Sequence, residues 1–169
     1  VLSLPQVHAL ARSLPDTLCT RHWQLLYSLD AHGASLNTLL ARCAGREPTL
    51  LALADRGGAV FGGFATGAPW SREQGEHFFG GGDSFVFSSL GWGGGRGGAS
   101  PLGNTCFMFC DHRGIGMGGG PGGEFAIFLD DALCRGTSGP CQTFGNARLA
   151  SSSPFECVAL EMWGFVNAV

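Results

Sequence analysis

Seven cysteines, five histidines and thirteen carboxylates are the groups able to do chemistry in this chain of 169 residues. The cysteines stand at 19, 43, 106, 110, 134, 141 and 157. A thiol reacts as its thiolate, which forms readily only beside positive charge or a helix N-terminus. Cys134 stands next to Arg135, and Cys141 follows Pro140 in an expected loop. These two are the candidates for thiol redox chemistry. The run Cys106-Phe107-Met108-Phe109-Cys110-Asp111-His112 imitates half of a zinc site. Its interior reads as strand, and four strand residues span about 13 Å. Two thiolates on one zinc lie only about 4 Å apart. Core packing is the better account of this run.

The other catalytic plans are removed in turn. There is no lysine, so a P-loop and a Schiff-base enzyme are both excluded. Gly114-Ile115-Gly116-Met117-Gly118-Gly119 has dinucleotide-fingerprint spacing. Gly120, Pro121, Gly122 and Gly123 follow it, then a strand-like run, where the fingerprint needs a helix. Asp130-Asp131 reads as a solvated turn rather than an acid–base pair. No nucleophile elbow occurs, and Ser84 reads as entry to a strand. The histidines at 8, 22, 32, 77 and 112 show no metal-ligand spacing, and His32 adjoins Gly33 while His77 stands two residues from Gly75. No catalytic, cofactor-binding or metal-binding residue is assigned.

Composition narrows the class. Hydrophobic residues make up 44% and charged residues 14%, against a usual charged share of about 25%. The 29 glycines are offset by 13 Phe and 4 Trp, which argue for a packed core. Net charge is −3 and the isoelectric point about 5.9, without the basic footprint of a nucleic-acid binder. No apolar run approaches the ~18 residues of a membrane helix, and no signal-peptide pattern opens the chain. The odd cysteine count reads as reduced thiols in a cytoplasmic protein, folding without disulfide or metal.

These residues must be positioned by an ordered set of elements. Ser3-Leu4-Pro5-Gln6 has capping-box spacing ahead of Val7, Leu10, Ala11 and Leu14, so a first helix is expected up to Pro15. His22 to Ser28 reads as a strand with Trp23, Leu25 and Tyr27 on one face. Ser35 caps a second helix carrying Leu36, Leu39, Leu40 and Cys43, which Gly45 closes. Thr49–Ala54 and Ala59–Thr66 flank Asp55-Arg56-Gly57-Gly58, a hairpin signal. Further strands are expected at Ser84–Ser89, Asn104–Cys110, Glu124–Leu129 and Cys157–Phe165, separated by glycine clusters at 80–82, 91–98 and 114–123. Residues 91–98 read as a flexible loop. About seven strands and two early helices predict an α+β domain built as a β-sandwich of two antiparallel sheets. Trp163 and Phe165 are expected in its core. One domain spans 1–169, and the start at Val1 reads as a segment of a longer protein.

Together the pieces resemble the TLDc domain family. Trp23 to Ser28, His32-Gly33-Ala34-Ser35-Leu36 and Val60-Phe61-Gly62-Gly63-Phe64 are similar to its opening segments. Phe79-Gly80-Gly81-Gly82-Asp83-Ser84-Phe85, then Gly118-Gly119-Gly120, Phe125 to Asp130 and Cys141-Gln142-Thr143-Phe144-Gly145-Asn146 follow its order. Trp163-Gly164-Phe165 ends it, so the resemblance covers about residues 22–165. Asp83 and Gln142 stand where the family usually has Glu. The resemblance implies a helix-flanked β-sandwich with no accepted catalytic residues and a link to oxidation resistance. It also implies binding and regulation of the vacuolar-type proton pump. The function expected is therefore a non-catalytic protein-interaction module, peripheral to a membrane-bound or cytoskeletal assembly. The alternatives are a structural subunit of another large assembly and a thiol-based antioxidant enzyme using Cys134 or Cys141.

Overall fold

The computed structural model describes residues 1–91 and 104–167. Its elements are α1 (Leu4–Ala11), β1 (His22–Ser28), α2 (Leu29–His32), α3 (Leu36–Cys43), β2 (Thr49–Asp55), β3 (Val60–Ala65) and β4 (Phe85–Ser88). They continue with β5 (Met108–Cys110), β6 (Gly114–Met117), β7 (Ile127–Asp130), β8 (Arg135–Thr137) and β9 (Phe155–Val166). Every pairing is antiparallel, in the order β4-β3-β2-β9-β8-β7-β6-β5, with β1 added to β9. The fold is the expected α+β arrangement of antiparallel strands with a few helices.

β9 joins the two halves. Phe155 and Glu156 pair with β8, Cys157 to Gly164 with β2, and Glu161 to Val166 with β1. A register shift between Ala54 and Asp55 marks the crossing from one half to the other. The first sheet is thus β4-β3-β2-β9-β1, and the second is β5-β6-β7-β8 with the start of β9. Their inner faces meet. Phe61 packs edge-on against Phe155 with ring centroids 5.0 Å apart. The Met117 sulfur sits 2.4 Å from where a Cβ on Gly63 would stand, so only glycine lets the sheets approach there.

Local chemistry explains the elements that sequence anticipates. Asp55 Oδ1 accepts from the Ala59 amide at 2.9 Å and closes the β2–β3 hairpin, with Gly58 at φ +91°. Ser35 Oγ accepts from the Thr38 amide at 3.3 Å and starts α3, whose Leu36, Leu39 and Cys43 are buried. The Ser3 amide donates to Gln6 Oε1 at 2.8 Å at the start of α1. Leu10 and Leu14 then bury against Leu50, Ala52, Phe64, Phe85 and Phe87 on the outer face of the first sheet.

Four expectations change. Trp23, Leu25 and Tyr27 do not share a face, because the β1–β9 register slips between Leu25 and Tyr27. An extra residue in a strand reverses its alternation. Trp23 therefore packs outward near Trp163 and Phe165, Leu26 and Tyr27 enter the inner core, and Leu25 is 40% exposed. Trp163 and Phe165 are accordingly half-buried against the α1 cluster rather than deep in the main core. Among the described residues nine strands and three α-helices stand where about seven and two were expected. β6 lies inside the presumed glycine spacer at 114–123, and β8 has three residues, too few for a hydrophobic pattern. Strand limits also move: 84, 89, 104–107 and 124–126 fall outside strands, while β9 begins two residues earlier and ends one later than expected. Asn104 Oδ1 accepts from the Cys106 amide at 2.9 Å, which turns that segment before β5 begins. Of the expected flexible loop at 91–98, residues 92–98 lie outside the described residues.

Candidate functional site

The second sheet turns Met108, Cys110, Ile115, Met117, Ile127 and Leu129 inward. Alternation then places Phe109, Gly116 and Phe128, paired in register across β5, β6 and β7, on its outer face. Phe125 lies over Gly116, whose added Cβ would stand 2.7 Å from the ring. Phe78 covers Gly119 in the same way, at 2.9 Å. The rings form a continuous group: Phe78–Phe109 5.3 Å, Phe109–Phe125 5.4 Å and Phe125–Phe128 5.1 Å between centroids. Phe78, Phe125 and Phe128 are only half-buried. The described α-helices pack elsewhere, α1 on the first sheet, α2 against β1 and β9, and α3 against β1.

One edge of this face is charged and fixed. The Arg113 guanidinium lies 5.8 Å from the Phe109 ring centroid, a cation–π contact. Arg113 is held there by Asp111, whose carboxylate accepts from its Nε at 2.6 Å and its amide at 2.8 Å. Burial pushes the Asp111 carboxyl up, but the Arg113 amide and guanidinium outweigh it and hold it below the usual carboxylate range. Arg72 extends the group, donating to the Asp111 carbonyl at 3.2 Å and to Asn37 Oδ1 at 2.6 Å.

An open depression of about 460 Å³ lies between Pro121, Gly122, Glu124, Pro140, Cys141, Gln142, Gly145 and Asn146. Gln142 and Glu124 are exposed on it, and the Cys141 thiol donates to Asn146 Oδ1 at 3.1 Å from a buried position. Burial pushes the Cys141 thiol up despite the amides of Thr143 and Phe144 that favour its thiolate. Its chemistry here is to cap the turn that ends at Gly145.

The two candidate thiols are not brought together: among the described residues no contact joins Cys134 to Cys141. Cys134 is exposed and donates to the Ala132 carbonyl at 3.1 Å. Desolvation pushes Cys43 and Cys157 up to about 12 and Cys110 up to about 11, and raises Cys106. Cys43, which also neighbours an arginine in sequence, is among them because it is buried on α3. Five of the seven thiols are thus poor nucleophiles. Ser84 is buried and its Oγ accepts from the Thr66 amide at 3.1 Å. Asp130 Oδ1 accepts from the Cys134 amide, so it shapes a turn. His32 stacks on Tyr27, and His77 and His112 are exposed. The aromatic face itself escapes sequence reasoning. Its signal is a phenylalanine at each outward position, Phe109 and Phe128, between core residues.

A TLDc domain model matches residues 1–166. The chain belongs to the TLDc domain family. The match takes in α1, which the resemblance over 22–165 leaves out. The chain is 36% identical to oxidation resistance protein 1 of Rattus norvegicus over 172 residues, covering 97% of this chain and 19% of that protein. It is 36% identical to the Homo sapiens protein of the same name, covering 97% of this chain and 18% of that one. To nuclear receptor coactivator 7 of Homo sapiens it is 34% identical over 166 residues, covering 94% of this chain and 16% of that protein. The TLDc chain thus spans less than a fifth of the length of these relatives. Among the described residues no helix is long and apolar enough to cross a membrane.

Proposed function

We propose that this TLDc domain is a protein-interaction module without a chemical step of its own, docking on a large partner through the outer face of its second sheet. The observation that carries this reading is the group of half-buried rings Phe78, Phe125 and Phe128 around buried Phe109, edged by Arg113. Aromatic residues and arginine are the types enriched where proteins bind one another. The vacuolar-type proton pump is the partner that family membership favours, and the names of the oxidation resistance proteins favour a role in oxidative stress. Burial of Cys43, Cys110, Cys141 and Cys157 weighs against the antioxidant-enzyme alternative, which is left with Cys134 of its two candidates.

The test is affinity capture of the parent protein and identification of its stoichiometric companions. Wild type is compared with Phe125→Asp/Phe128→Asp and with Cys134→Ser/Cys141→Ser. The charged pair should abolish capture of the pump while the serine pair retains it. Retention by the aspartate variant rejects this face, and loss of cellular effect in the serine variant with the complex intact points to thiol chemistry instead.

A further inference from the structure

Cys134 and Cys157 stand opposite one another where β8 meets β9. Arg135 pairs with Glu156 and Gly136 with Phe155, so the next pair in that antiparallel register is Cys134 with Cys157. The Cys157 amide donates to the Cys134 carbonyl at 2.8 Å, which holds the two backbones at ladder spacing. Directly opposed residues of a hydrogen-bonded pair have Cα atoms about 5.5 Å apart. A disulfide spans about 4.4–6.8 Å between Cα atoms. Such neighbours also project to one side of the ladder.

The site around them is built. Cys134 follows Leu133, a fully buried side chain held at φ +56°, the left-handed region that a leucine rarely adopts. Asp130 Oδ1 accepts from the amides of Cys134 at 2.9 Å and Arg135 at 3.2 Å, tying down the same turn. Access is divided between the pair. Cys134 is exposed, whereas Cys157 is 8% exposed and belongs to the main core. Each thiol donates to a backbone carbonyl, Ala132 at 3.1 Å and Ala159 at 3.4 Å, and both give up that hydrogen bond when the sulfurs join. Cys110, by contrast, faces Ile115 across its ladder.

We infer that Cys134 and Cys157 form a reversible cross-strand disulfide when the protein meets hydrogen peroxide, with Cys134 reacting first and Cys157 resolving. The Cys134 thiolate attacks one peroxide oxygen, the O–O bond breaks, and the departing hydroxide takes up a proton as water. Cys134 is then a sulfenic acid. The Cys157 thiol does not ionise first: its proton passes to the departing hydroxide as its sulfur attacks the Cys134 sulfur and the S–O bond breaks, so the hydroxide leaves as a second water. Two thiols have lost two electrons and the peroxide has gained them. A dithiol reverses the change by exchange. The link lies where β9 passes from the second sheet to the first and is independent of any partner on the aromatic face.

Peptide mapping by mass spectrometry of the whole chain after hydrogen peroxide tests this. The expected product has lost two hydrogens, carries a 134–157 cross-link within one molecule, and returns to thiols with dithiothreitol. Cys157→Ala should stop the cross-link and leave a Cys134 sulfenic acid that dimedone traps. Should that variant misfold, dimedone added to wild type during oxidation should lower the cross-link yield as its concentration rises. A cross-link at other cysteines, one formed only between molecules, or Cys134 sulfinic acid beside an unreacted Cys157 would each overturn the assignment.

Discussion

The outer faces of the two sheets solve the same problem differently. On the first sheet, Leu50, Ala52, Phe64, Phe85 and Phe87 are covered by Leu10 of α1 and by Leu14 and Leu18 in the segment after it. On the second, none of the described α-helices packs, and the sheet is floored by Gly114 and Gly116 beneath phenylalanines from β5, β7 and the loops. The helix buries the part of the apolar face beneath it and leaves Trp23, Trp163 and Phe165 half-buried at its border, whereas the rings of the second face cover one another only in part. Contiguous half-exposed aromatic surface is what the proposed docking face rests on. If the second face is the proposed docking surface, substitutions on the two faces should separate stability from binding.

The largest effect should come from the helix-covered face. Phe64→Ala, which removes a ring stacked 5.3 Å from Phe85 and buried under α1, should cost about 3–5 kcal/mol in denaturant unfolding. It should leave binding per folded molecule unchanged. Gly116→Ala comes next, because its Cβ would press into the Phe125 ring at 2.7 Å; displacing a packed ring costs about 1–3 kcal/mol. That variant should also weaken partner capture, since it tilts the aromatic face. Phe128→Ala should cost only about 1 kcal/mol, its ring being half-buried, yet it should reduce capture as strongly as Gly116→Ala. Equal losses of binding from Phe64→Ala and Phe128→Ala would erase the distinction between the faces.

A smaller effect concerns acid. Asp111 is held below the ordinary carboxylate range by Arg113, against the opposing effect of its burial. A carboxyl whose folded-state pKa is depressed contributes stability above its unfolded value, about 3.9, and loses it as pH falls through the folded value. Wild type should therefore lose stability in that acid window, and Asp111→Asn should flatten this part of the profile in thermal unfolding against pH. The least change is expected from Cys141→Ser, since Asn146 Oδ1 can accept from a hydroxyl as from the thiol; the unfolding midpoint and partner capture should both stay near wild type.

The sequence by itself determined the elements whose instructions are local. Asp55-Arg56-Gly57-Gly58 closes a hairpin because one carboxylate oxygen reaches an amide four residues on. Ser35 starts α3 because its hydroxyl reaches the Thr38 amide, and the apolar stripe that follows has helical spacing. The lack of lysine excluded whole reaction classes before any coordinate was needed. Only the tertiary structure decided what depends on distant partners. The slip at Leu26 comes from pairing with β9, so the side of Tyr27 could not be read from alternation within β1. Gly114 and Gly116 look like spacer and are strand, because the rings that require their bareness come from Phe128 and Phe125. Cys134 and Cys157 meet through the β8–β9 register across 23 positions of chain, a pairing that spacing alone does not encode. Local hydrogen bonds are written within a few residues, whereas a face, a register or a shared core exists only once separate segments have packed.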